Sequence, residues 1–117
     1  MERLKTTSEG GRQRISLFEN EREKGYLIIE PKRNEPKVGY IVSIKVPIEE
    51  ERFLGIGNKL VSHALSAARN GEYEALTLEV EEDNTVAYEW YERLGFKITE
   101  RNLGLNNSVY LTMVLQL

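Results

Sequence analysis

Arg52-Phe53-Leu54-Gly55-Ile56-Gly57 stands between a strand-like run that ends at Val46-Pro47 and a helix-like run that opens at Asn58. Two glycines at such a junction let backbone N–H groups converge on one anionic group at a helix N-terminus, and Arg52 adds a fixed positive charge. The stretch reads as a pyrophosphate cradle. Taken alone, Gly-x-Gly is equally a strand-to-helix turn that needs glycine only for its geometry. Position 60 is Leu, so the third glycine of a dinucleotide-binding Rossmann loop is missing, and no Gly-Lys-Ser/Thr follows to make a Walker loop.

The flanking sequence gives this loop its setting. Tyr40, Val42, Ile44 and Val46 fall on one face of a long strand over 38–46, with Gly39, Ile41, Ser43 and Lys45 on the other. Pro47 carries no N–H, so strand pairing is expected to weaken there and leave a gap that admits a ligand. Leu60, Val61, Ala64, Leu65 and Ala68 recur at helical spacing, which predicts a helix over 57–70 with Gly71 as its stop. Leu76, Leu78 and Val80 alternate as a strand. A second helix is predicted from an Asn84 N-cap to Gly95, its inward stripe being Val86 or Ala87, Trp90, Tyr91 and Leu94.

The ends of the chain read as strands and a tail. Residues 1–13, with Thr6-Thr7-Ser8-Glu9-Gly10-Gly11, are polar and aperiodic and are expected to form a flexible tail. Arg14–Phe18 and Tyr26–Glu30 form an antiparallel hairpin across the charged turn 19–25, and residues 32–36 turn again. A strand at Phe96–Glu100, a turn over 104–108 and the alternation of Val109, Leu111, Met113, Leu115 and Leu117 complete an antiparallel pair. Together these elements predict one α/β (α+β) domain over residues 1–117, with a mixed central sheet, helices packed on it and a right-handed crossover between the strands at 38 and 75.

Composition narrows the function. A chain of 117 residues supports one core, and 40% hydrophobic with 30% charged residues is globular composition. With a net charge of −3, no basic block beside aromatics and no long apolar stretch, neither nucleic acid nor membrane is an expected partner, and the expected location is cytoplasmic. Zero cysteines and one histidine leave no thiolate nucleophile and little material for a metal site. His63 falls on the polar side of its helix with Ser62 and Ser66, which reads as surface.

With both segments in view, the chain resembles the GNAT superfamily of N-acetyltransferases. Val46-Pro47 followed by Arg52, Gly55 and Gly57 matches that family's Arg/Gln-x-x-Gly-x-Gly/Ala loop after a strand ending in Val-Pro. Asn84, Ala87, Tyr91, Gly95 and Phe96 match its Asn-x-x-Ala-x-x-x-Tyr-x-x-x-Gly-Phe segment. The resemblance implies a cosubstrate, acetyl-CoA. Its pantetheine would lie in a splay between two parallel strands and pair with backbone near Ile44 and Val46, and its pyrophosphate would rest on the amides of Arg52, Phe53, Leu54, Gly55, Ile56, Gly57 and Asn58. Asn84 and Ala87 belong to the same cofactor-binding set, Asn84 hydrogen-bonding the pantetheine and Tyr91 reaching the thioester sulfur. Phe53 stands where the family often has glycine.

The activity this implies is direct acetyl transfer to a primary amine within a ternary complex. Amide formation needs a neutral amine, a stabilised oxyanion and a proton for the departing thiolate. Tyr91 is the candidate general acid and a backbone N–H near Val46 the candidate oxyanion donor. Glu79, on the strand face opposite Leu78 in a sheet expected to be covered on both sides, is the candidate base. Glu49-Glu50-Glu51 is a candidate landing site for a cationic acceptor, although a charge run in a turn is commonly solvated. The family's opening strand and two helices have no convincing counterpart before Val38, so the domain reads as N-terminally abbreviated, with an acceptor site left open or completed in a homodimer. A noncatalytic acyl-CoA-binding module is the alternative reading.

Overall fold

The computed structural model describes residues 2–45, 55–71 and 73–117. Strands β1 (Glu2–Glu9), β2 (Arg12–Glu19), β3 (Arg22–Lys32) and β4 (Glu35–Lys45) are followed by helix α1 (Ile56–Gly71), β5 (Ala75–Glu81), α2 (Thr85–Arg93), β6 (Lys97–Leu103) and β7 (Val109–Gln116). The strands form one mixed sheet in the order β1-β2-β3-β4-β5-β7-β6. Among the described residues only β4 and β5 pair in parallel, and α1 is the crossover between them, as the sequence predicts.

Residues expected to be a flexible tail instead form β1, paired with β2 along its whole length from Glu2–Glu19 to Glu9–Arg12. Every β1 residue is exposed, so this edge strand shows no alternation for a hydrophobic pattern to reveal. Its signal lies in the turn. Gly10 and Gly11 have φ of 58° and 85°, the conformation of a two-residue hairpin whose twist matches its strands. The opening strand is therefore present, and a two-glycine turn joins it directly to β2. The β2–β3 turn is likewise two residues, Asn20 and Glu21, rather than the longer loop expected over 19–25.

One core fills the space between the sheet and the helices. Leu60, Val61, Ala64 and Ala68 of α1 meet Ile15, Leu17, Leu27, Ile29 and Ile41 from β2 to β4, while Leu76, Leu78, Val80, Leu111, Met113 and Phe96 extend the core under α2. Fully burying side chains such as Leu60 or Leu76 contributes about 1.5–3 kcal/mol each, which is what holds a 16-residue helix to the sheet.

Among the described residues no helix covers the opposite face, contrary to the expectation of a sheet covered on both sides. The strand pairings place Arg14, Ser16, Tyr26, Glu30, Tyr40, Thr77, Glu79 and Thr112 on it. A polar face tolerates water, and this one is tied together laterally. Arg14 lies 3.9 Å from the Tyr26 ring centroid, and its Nη2 donates to both Glu23 oxygens at 2.9 and 3.1 Å. Arg12 pairs with Glu30 at 2.9 Å, and the buried Thr77 hydroxyl donates to the Met113 carbonyl at 3.0 Å.

Candidate active site

β4 and β5 share three residue pairs, Val38–Ala75, Gly39–Leu76 and Tyr40–Thr77, and then separate. Each continues as a strand on its outer side. β4 stays paired to β3 as far as Lys45, and β5 to β7 as far as Glu81. The backbone groups that face each other across the gap beyond Tyr40 and Thr77 are therefore not used in a ladder between the two strands, and they can bond to a ligand laid along them. The opening begins well before Pro47, where the sequence placed the break; residues 46–54 lie outside the described residues.

A bulge explains the early separation. Ile28 pairs with Ser43 and Ile29 with Ile41, which leaves Val42 as an extra residue in β4. Such an insertion bends its strand and raises the local twist. It also reverses the side-chain alternation. Ile44 pairs with the core residue Leu27, so it packs on the core side with Ile41, whereas Tyr40 stands on the polar face. Tyr40, Val42 and Ile44 therefore do not share a face, because simple period-two counting fails across an inserted residue.

The wide end of the gap, at the C-terminal ends of β4 and β5, receives the N-termini of both helices, the usual location for ligands in sheets with parallel strands. Gly55 has φ of 75° and its carbonyl accepts from the Lys59 amide at 3.1 Å, so it precedes the helix, and the amides of Ile56, Gly57 and Asn58 form the open first turn. The Ile56 side chain is buried in the core, which leaves its amide as the group available to a ligand. Gly57 packs closely: a Cβ there would lie 3.1 Å from the Trp90 ring, so the indole would have to shift to admit one. Arg52, Phe53, Leu54 and Val46, together with Glu49-Glu50-Glu51, fall outside the described residues.

The second sequence segment is a helix capped at both ends. Asn84 Oδ1 accepts from the Ala87 amide at 3.3 Å, the N-cap bond, so its carbonyl serves the helix and its Nδ2 remains for other partners. At the other end Gly95, with φ of 106°, donates to the Glu92 carbonyl, and Phe96 donates to the Tyr91 carbonyl, both at 3.0 Å. This paired closure brings the residue after the glycine onto the last turn. Phe96, 2% exposed, is that residue, and its ring meets Tyr91 edge-on at 5.9 Å. The backbone caps thereby fix the ring of Tyr91, and burial pushes its hydroxyl above the ordinary tyrosine range. Ala87 is half-buried against the core.

Trp90 joins the two segments. It contacts Gly57, donates from Nε1 to Asn58 Oδ1 at 2.7 Å, and stacks at a tilt on Tyr91 at 5.1 Å. One indole ring therefore spans from the first turn of α1 to Tyr91. Glu79 projects from the polar face, exposed, near Tyr40. His63 is half-buried rather than fully exposed. From sequence alone Trp90 reads only as core and Tyr40 only as one of an alternating row; what they meet depends on contacts between elements. A cavity of about 310 Å³ lies elsewhere, where the small residues Ala64, Ala67 and Ala68 leave space against Ser8 and Gln13 of the β1–β2 hairpin. Among the described residues no cluster of metal-ligating side chains occurs, and no helix is long and apolar enough to cross a membrane.

With a parallel pair that opens, a glycine-led helix at its mouth and a doubly capped helix beside it, the chain belongs to the acetyltransferase (GNAT) family, which it matches over residues 4–96. It is 34% identical over 92 residues to the 5-NmdU N-acetyltransferase of Pseudomonas phage PaMx11, an alignment that covers 77% of this chain and 61% of that protein. The chain thus spans about three fifths of the length of that relative. Its fold is similar to Ard1 from Thermoplasma volcanium, with a TM-score of 0.80 and 24% identity over 88% of this chain and 69% of the other. A GNAT family acetyltransferase from Elizabethkingia anophelis, solved with acetyl-CoA bound, superposes with a TM-score of 0.77 at 19% identity, covering 92% and 77% of the two chains.

Proposed function

We propose that this protein transfers the acetyl group of acetyl-CoA directly to a primary amine within a ternary complex. The observation that carries the reading is the opening between β4 and β5, with the Gly55–Asn58 turn and Tyr91 joined at its helix side through Trp90. In this reading the pantetheine pairs with the free β4 edge near Ile44, and the diphosphate rests on the first-turn amides of α1 beside Arg52. The donor set fits such a ligand: unpaired strand backbone for an amide-bearing arm, and helix N–H groups for an anion.

The chemistry divides between the two faces of the sheet. From the polar face Glu79 takes a proton from the acceptor ammonium, and the neutral nitrogen attacks the thioester carbonyl carbon. The carbon–sulfur bond breaks, Tyr91, kept protonated by its buried setting, delivers a proton to the departing sulfur, and the nitrogen sheds its surplus proton to solvent, from which Tyr91 is reprotonated. A backbone N–H near Val46 receives the developing oxyanion, an interaction whose loss typically costs about 2.7–4 kcal/mol. The chain has no cysteine, which favours direct attack over a thiol relay. The names of the relatives support an amine acceptor; one is a peptidyl-lysine N-acetyltransferase and another an N-alpha-acetyltransferase.

The test is a calorimetric titration with acetyl-CoA, followed by thiol release against a panel of small amines, peptide N-termini and lysine peptides. Saturable binding with release dependent on one amine class is expected. Binding without transfer to any amine would point to a noncatalytic acyl-CoA-binding module, and no binding would overturn the reading altogether.

A further inference from the structure

Tyr40 is the last β4 residue paired with β5, opposite Thr77, and Glu79 stands two residues beyond on the same polar face. The strands part between them, so Tyr40 stands at the narrow end of the opening and Glu79 on its rim, side by side on one face. We propose that Tyr40 is a positioning residue for Glu79, its hydroxyl donating to the carboxylate across the parting strands and holding it over the cleft. The proposal rests on Glu79 acting as the base in the reading above.

The surroundings favour a donating hydroxyl. Burial first, then the charges of Glu79 and Glu30, push the Tyr40 hydroxyl above its ordinary value, so it stays protonated at neutral pH. Glu30, the cross-strand neighbour of Tyr40 on β3, is itself held by Arg12 of β2 at 2.9 Å, which leaves the Tyr40 proton for Glu79. On the far side Glu79 pairs with Thr112 of β7, whose neighbour on β6 is Glu100, and Glu81 of its own strand receives the Tyr110 hydroxyl at 3.4 Å. Among these described neighbours Tyr40 is the one placed to tie Glu79 inward. An exposed glutamate without such a tie would sample many rotamers, and misplacement by about 1 Å can cost roughly a hundred-fold in rate.

Two measurements test this. In steady-state kinetics Tyr40→Phe, which retains the ring, is expected to lower kcat roughly ten- to hundred-fold while leaving KM for acetyl-CoA unchanged. Separately, carbon NMR of ring-labelled tyrosine should show the Tyr40 titration midpoint falling in Glu79→Gln while that of Tyr91 stays in place; this does not require the Tyr40 variant to fold. If Tyr40→Phe turns over at the wild-type rate while Glu79→Gln is impaired, or if the Tyr40 midpoint ignores Glu79→Gln, Tyr40 does not position Glu79 and the broader reading stands. Full turnover by Glu79→Gln would instead remove the base assignment and this inference with it.

Discussion

Trp90 Nε1 donates to Asn58 Oδ1 across 2.7 Å, joining the helix that follows β5 to the first turn of the helix that follows β4. The two residues lie in different sequence segments, yet the same indole closes over Gly57 and stacks beside Tyr91. The first turn of α1 and the phenol of Tyr91 are thereby held by a single side chain.

This link should be energetically measurable. In a double-mutant cycle of Asn58→Ala with Trp90→Phe, followed by chemical denaturation and acetyl-CoA titration, a coupling of about 0.5–1.5 kcal/mol is expected from the exposed hydrogen bond. Additive effects on both stability and affinity would show that the two segments are independent.

Tyr91→Phe isolates the hydroxyl. The phenylalanine keeps the edge-on contact with Phe96, so acetyl-CoA affinity should hold while kcat falls by about 10²–10⁴-fold, the usual contribution of a positioned acid. Wild-type turnover in this variant would reject Tyr91 as the proton donor.

The same residue predicts an alkaline effect on stability. Because burial raises the folded-state pKa of Tyr91 above its unfolded value of 10.0, its contribution is complete below that value and is lost as pH rises through the folded one. Denaturation midpoints measured across the alkaline range should therefore fall less steeply in Tyr91→Phe than in wild type; parallel curves would contradict the buried placement of the hydroxyl.

Gly95→Ala addresses the helix closure. The residue sits at φ of 106°, and a Cβ would meet Leu115 Cδ1 at 3.1 Å, so a loss of about 1–2 kcal/mol is expected from backbone strain alone. Thermal melts give the stability term. Acetyl transfer measured well below the melting point should also fall, because the closure aims Tyr91; retained activity would separate the cap from the site.

On the polar face Glu23 offers an acid-side test. Burial alone would raise its carboxyl, but hydrogen bonds from Arg14 and Ser16 and the Arg14 charge together bring it below the usual glutamate value. That contribution is present above the unfolded pKa and lost as pH falls through the lower folded one, so Glu23→Gln should flatten the acid limb of stability. An exposed pair of this kind is worth about 0–1 kcal/mol. An unchanged acid limb would show that the Arg14–Glu23 pair is dispensable.

Local sequence determined the two helices, the caps of the second and the left-handed glycines at 55 and 95, because capping and left-handed turns involve residues within a few positions of one another. It also determined that β4 and β5 run parallel around α1, since the apolar periodicities of helix and strand are read one segment at a time. Only the tertiary structure decided where the strands part, because the Val42 bulge exists relative to β3 and reverses a face that counting along β4 misassigns. It alone showed that residues 2–9 are an edge strand, whose hydrogen bonds to β2 leave no hydrophobic pattern. That Tyr40 and Glu79 share a polar face with no helix over it among the described residues was likewise decided there, for it depends on which side of the sheet neighbouring strands turn toward water.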